Sequence, residues 1–129
     1  MHRPIIDWRK NEQRHQKGTI EARIFNETKQ LIQIRKNLPI VSDLKNVNWM
    51  TPHNIHVAGL IRSYENKKLF CLFNYKHTAS FVTWFAFKEH GIRPAQLKDH
   101  WTGLTHNVGN DNEYFVLGAY QFAILEVID

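Results

Sequence analysis

One stretch of this sequence carries a helical period and most of the remainder carries a strand period. That change near residue 39 constrains the fold more than any other feature. In residues 19–36 the apolar side chains Ile20, Ile24, Leu31 and Ile34, with Leu38 just beyond, fall on one stripe at about 100° per residue. Phe25 and Ile32 form a second stripe beside it. Together they cover roughly half the helix circumference, more than a helix lying on a single sheet needs. Thr19 stands where an N-cap belongs, Glu21 faces the positive end of the helix dipole, and Arg35 and Lys36 occupy the last turn, where cations are favoured. Pro39 stops the helix by pushing its predecessor out of the α region. A helix with so broad an apolar face, after an irregular leader and before an all-β segment, reads as the tail of a larger protein whose chemistry lies upstream of Met1.

Beyond residue 39, short apolar runs separated by turns at roughly ten-residue spacing predict an antiparallel sandwich. Residues 40–50 read as a linker-like strand region. Residues 55–64 and 69–74 read as a hairpin, followed by strands at 79–87, 96–101, 104–107, 113–116 and 120–128. Two of these strands are apolar on both faces. The run Leu69-Phe70-Cys71-Leu72-Phe73 has no polar member. In the last strand Phe122, Ile124 and Ile128 point one way and Ala123, Leu125 and Val127 the other. A half-exposed strand alternates, so the outer face of the sheet is expected to be covered, with the amphipathic helix as candidate cover. The sequence thus divides into 1–39 and 40–129.

The chemistry-bearing residues are sparse. The single cysteine, Cys71, rules out an intramolecular disulfide and reads as a small buried hydrophobe. No metal-ligand spacing occurs, and no cofactor is expected. Asp111 among asparagines matches no EF-hand loop and reads as a solvated turn. No run of eighteen apolar residues occurs, so no transmembrane helix is expected, and residues 1–8 lack the apolar core of a signal peptide. The net charge of +5 sits entirely in residues 1–36, which carry nine Lys and Arg against four acids; the remainder carries eight of each. A basic arm of this kind suits nucleic acid, but the β region has no basic stripe to extend a binding track. Neither a nucleic-acid nor a membrane partner is expected.

Several motifs carry a family resemblance. His2-Arg3-Pro4 followed by Asp7-Trp8, then Gly18-Thr19-Ile20-Glu21-Ala22-Arg23-Ile24-Phe25 and Leu31-Ile32-Gln33-Ile34-Arg35-Lys36, resemble the end of the catalytic barrel in amylosucrases, of the α-amylase superfamily. Asp99-His100-Trp101-Thr102-Gly103 resembles the D-x-x-T-G strand-turn of that superfamily's C-terminal domain. Leu117-Gly118-Ala119-Tyr120-Gln121 and the apolar run after it resemble its closing strand, with Ala119 where proline is usual. The resemblance spans the whole chain in order. It implies a mainly β fold: an antiparallel Greek-key β-sandwich over 40–129, with one N-terminal α-helix, the eighth of a (β/α)8 barrel, left over in 1–39.

The resemblance also implies a parent enzyme that transfers glucose from sucrose to an α-glucan or to water with retention. Retention needs two carboxyl groups about 5 Å apart. In the family these sit at the ends of the fourth and fifth barrel strands, with a third carboxylate at the seventh, all upstream of this chain. No catalytic residue is therefore assigned here. The expected partners are the parent's barrel and, through it, sucrose or α-glucan; a truncated piece would expose an apolar helical stripe and self-associate. Arg3, with His2 beside it, is the candidate for a substrate-pocket loop, because loops after barrel strands lie at the catalytic face; the alternative is that His2-Arg3-Pro4 only anchors the loop. A rival reading makes the chain a carbohydrate-binding module of its own. Among Trp49, Trp84, Trp101, Tyr64, Tyr75 and Tyr114, the candidates for sugar stacking are Trp49 and Trp101, while Trp84 reads as core.

Overall fold

Helical capping and strand alternation act in separate parts of the chain, and the computed structural model, which describes residues 4–91 and 93–128, separates them in the same way. Two compact units result, Met1–Asn37 and Leu38–Asp129.

In the first unit the leader is not irregular. Asp7 accepts a hydrogen bond from the Lys10 amide at 3.2 Å and so starts helix α1, Trp8–Glu12. A 3₁₀ turn, Gln13–His15, follows. Gly18, at φ +94°, then turns the chain into helix α2, Ile20–Asn37. Thr19 is its N-cap: Oγ1 accepts from the Ala22 amide at 3.1 Å. The same hydroxyl lies 2.7 Å from the Gln13 carbonyl and 2.8 Å from that of Gln16, and it gives its one hydrogen back to the preceding turn. Ala22 is the one buried residue of α2; Ile20, Ile24, Phe25, Leu31 and Ile32 are all exposed.

The second unit is an antiparallel two-sheet structure. Its strands are β1 (Val47–Met50), β2 (Val57–Tyr64), β3 (Lys67–Asn74), β4 (Ser80–Thr83), β5 (Gln96–Asp99), β6 (Thr105–Asn107), β7 (Tyr114–Leu117) and β8 (Phe122–Ile128), with a short helix α3 (Trp84–Lys88) after β4. Six strands form one sheet in the order β1-β2-β3-β8-β5-β6, and β4 pairs with β7 in the other. After β7, which lies in the smaller sheet, β8 returns to the larger sheet between β3 and β5. Between the sheets lie Met50, Val57, Ile61, Phe70, Leu72, Leu97, Ala123 and Leu125 on one side and Val82, Trp84, Ala86, Phe87, Phe115 and Leu117 on the other. Phe87 is the hub, its ring centroid 5.1 Å from Phe70, 5.3 Å from Trp84 and 6.3 Å from Phe115.

The strand expected over 79–87 ends at Thr83. In a continued strand, Phe87 would point away from Trp84 and Ala86. One helical turn puts Trp84 and Phe87 on a single face, so both enter the core, and turns Phe85 outward. The strand expected across 40–50 is likewise confined to β1. Before it lie two 3₁₀ turns, Pro39–Val41 and Leu44–Asn46. The first lies against β2 and β3, so this supposed linker supplies cover for the outer face, with Ile40 and Leu69 buried. Arg62 holds the segment down: its Nη1 donates to Asp43 O at 2.9 Å and Asn46 Oδ1 at 3.2 Å, while Asn46 Nδ2 donates to Ile40 O at 2.9 Å.

Candidate functional site

The outer face of the six-stranded sheet carries the tryptophan expected to stack on sugar at its edge. Because side chains alternate along a strand, Met50 enters the core and Trp49 points outward, where it is 79% exposed on the edge strand β1. Pairing register sets Trp49, Leu60, Cys71 and Ile124 in one row across β1, β2, β3 and β8. Trp101, just past β5, is half-buried with its ring 4.8 Å from that of Phe122. Four strand spacings separate β1 from β5, about 19 Å at roughly 4.8 Å each, so the two tryptophans form no common platform for one sugar ring. Trp84 is in the core. His2 and Arg3 fall outside the described residues.

The same face carries two groups with displaced acidity. Burial pushes the Cys71 thiol up to about 11, outweighing the opposing charge of Arg62. At Glu126 burial also opposes ionisation, but a hydrogen bond to His100 at 2.8 Å and the ammonium of Lys67 at 3.4 Å outweigh it and hold the carboxyl below its ordinary value. A carboxylate accepts only, so His100 Nε2 carries the shared proton.

The Asp99-x-x-Thr102-Gly103 motif is structural. Asp99 is 2% exposed. Its carboxylate accepts from the Trp101 amide at 2.9 Å, Thr102 Oγ1 at 2.8 Å and the Ile124 amide at 3.3 Å. Its backbone pairs with Leu104 and Gly103 at 2.8 Å each. Gly103 closes the turn at φ +77°. Asp99 thus ties the β5–β6 turn to β8. Asn74 does the same between the sheets: its amide nitrogen donates to Gly118 O at 2.7 Å and Thr78 O at 2.9 Å, and its oxygen accepts from Ser80 Oγ at 2.9 Å.

A separate cleft of about 390 Å³ opens beside α3, lined by Phe85, Lys88, Glu89, Arg93 and Asp111. Phe85 forms its aromatic wall and is 47% exposed. Lys88 Nζ donates to Gly109 O at 2.9 Å and Asp111 Oδ1 at 2.7 Å, which braces the loop carrying Asp111. Asp111 is therefore an ion-paired residue at the cleft mouth. Among the described residues no group of three His, Cys, Asp or Glu is placed to hold a metal ion, and no helix is long and apolar enough to cross a membrane. Glu89 Oε1 takes a hydrogen bond from His53 Nε2 at 2.7 Å, and the His53 ring lies 5.9 Å from that of Phe85.

The same arrangement of strands occurs in solved enzymes. The chain superposes on an Anoxybacillus α-amylase with a TM-score of 0.59 at 14% identity, over 79% of this chain and 22% of that one. It superposes on α-galactosidase I from Mortierella vinacea with a TM-score of 0.58 at 15% identity, over 79% and 28%. The fold is glycoside-hydrolase-like. At these identities the likeness is one of fold, and this chain spans roughly a quarter of the length of each enzyme. No family model matches the sequence, and no curated protein does.

Sequence reasoning misses the cleft because it places Phe85 in a core strand. One signal is available: Trp84 and Phe87 are spaced for a helix, and Phe85, Lys88 and Glu89 lie together on the opposite side of such a turn.

Proposed function

We propose that this chain is the non-catalytic C-terminal part of an amylosucrase-like enzyme of the α-amylase superfamily. In that reading α2 is the last barrel helix, the β unit braces it, and the barrel supplies the carboxylates that move glucose from sucrose to an α-glucan. The observation that carries the reading is the Asp99–Gly103 turn. It has the superfamily's D-x-x-T-G pattern, and here it is a buried staple within a glycoside-hydrolase-like β fold. The broad exposed apolar face of α2 supports a partner surface for that helix.

Two experiments test the proposal together. The chain alone should turn over neither sucrose nor maltooligosaccharides. Co-expressed with an amylosucrase barrel that lacks its own C-terminal part, it should restore a soluble, sucrose-consuming enzyme. Turnover by the chain alone that vanishes on a single Asp or Glu substitution would overturn the reading, as would a barrel that stays insoluble in the presence of this chain.

A further inference from the structure

We propose that the cleft beside α3 is a binding site for a neutral oligosaccharide, an α-glucan segment whose ring stacks on Phe85. The volume, about 390 Å³, lies within the ~300–1,000 Å³ of small-molecule sites. Its ionic lining is balanced, with Lys88 and Arg93 against Glu89 and Asp111. A balanced lining gives neither an anion nor a cation a net attraction, yet it presents carboxylate acceptors and guanidinium donors at close quarters. A ligand that uses both is uncharged, rich in hydroxyls and apolar on one face. A pyranose ring has that chemistry: its C–H face suits an exposed aromatic ring, and its vicinal hydroxyls suit carboxylate and guanidinium edges.

The site is braced before any ligand arrives. Lys88 holds the Asp111 loop through two hydrogen bonds, and His53 orients the Glu89 carboxylate. His53 adopts φ +53°, a left-handed conformation that a non-glycine residue holds at a cost, and the turn is fixed by Asn54 Nδ2 donating to Phe81 O at 2.9 Å. Phe81 is itself exposed and packs edge-to-face on the exposed Tyr114 at 4.9 Å. The turn at 53–54 thus touches both Phe85 and Phe81 and leads from the cleft to a second aromatic surface, along which a longer chain would lie. The choice of an α-glucan over other oligosaccharides rests on the proposed function above; the choice of a neutral saccharide rests on the cleft.

The test is an NMR titration of the isotope-labelled full chain with maltoheptaose, with cellohexaose and inorganic phosphate as comparison probes. Maltoheptaose at millimolar concentration should shift the amides of Phe85, Lys88, Glu89, Arg93 and Asp111. Phe85→Ala and Arg93→Ala should each weaken binding roughly tenfold, about 1.4 kcal/mol, and Trp49→Ala should leave it unchanged. Both cleft residues are exposed, and an unchanged spectrum outside the cleft shows that the variants remain folded. Shifts centred on Trp49 or Trp101, the absence of any shift, or an equal response to phosphate would overturn the site. A response to cellohexaose alone would overturn the α-glucan assignment. Restoration of a barrel by a chain that binds no maltoheptaose rejects the cleft and leaves the proposed function standing.

Discussion

Asp99 shows what a buried carboxylate does without catalysing anything. Two amides and one hydroxyl are aimed at its oxygens. Asp99→Ala leaves those donors without an acceptor in a closed turn, so unfolding free energy should drop by about 3 kcal/mol in a urea titration. Gly59 is constrained by space alone: a Cβ there would stand 2.9 Å from Met50 Cβ and 3.2 Å from Pro52 Cγ. Gly59→Ala should therefore cost ~1–3 kcal/mol by overpacking, read as a lower midpoint with unchanged slope. Cys71, with its thiol raised to about 11, should resist alkylation at neutral pH and react only on unfolding or in strong alkali. The Asp-x-x-Thr-Gly pattern is visible in the sequence. Its meaning is not, because the Ile124 amide that completes it lies twenty-five residues away.

Elements are legible where one periodicity rules and obscure where two compete. Helix α2, the β2–β3 hairpin and β8 follow directly from the sequence pattern, with no end displaced by more than two residues. The segment that begins at Ser80 does not, because Phe81 to Thr83 alternate as a strand while Trp84 and Phe87 must share a helical face to fill the core. The cleft is lost with that turn. Residues 39–46 lack any period and resemble a linker; what fixes them is Arg62, distant in sequence. Arg62→Ala should free the segment, with faster amide exchange at 39–46 and little change in β5 or β6. Glu126 joins β8 to His100 and Lys67, and its acidity sets a pH dependence. Its folded carboxyl lies below the ordinary value of 4.5, so its contribution to stability is complete above that value and is lost as pH falls through the lowered one. Glu126→Gln should flatten the decline in urea midpoint across this acidic range.

For the molecule as a whole, one unit is rich in exposed apolar side chains and basic charge, and the other is neutral and well packed. If α2 lacks its partner surface, copies of the chain should associate through it, weakly at low ionic strength because like charges approach and more strongly as salt screens them. Sedimentation at rising salt reads this directly; Leu31→Lys should return the chain to monomer, and a monomer under all conditions would count against a missing partner. The position of β8 has a consequence of a different kind. It is the last strand in sequence, yet it sits between β3 and β5 near the middle of the larger sheet. During synthesis, β1 to β3 and β5 to β6 can form only as separate ribbons, each with an open flank, until Phe122–Ile128 has cleared the ribosome. Nascent chains stalled before Phe122 should be cut freely by protease and held by chaperones, and resistance should arrive in a single step with the final strand.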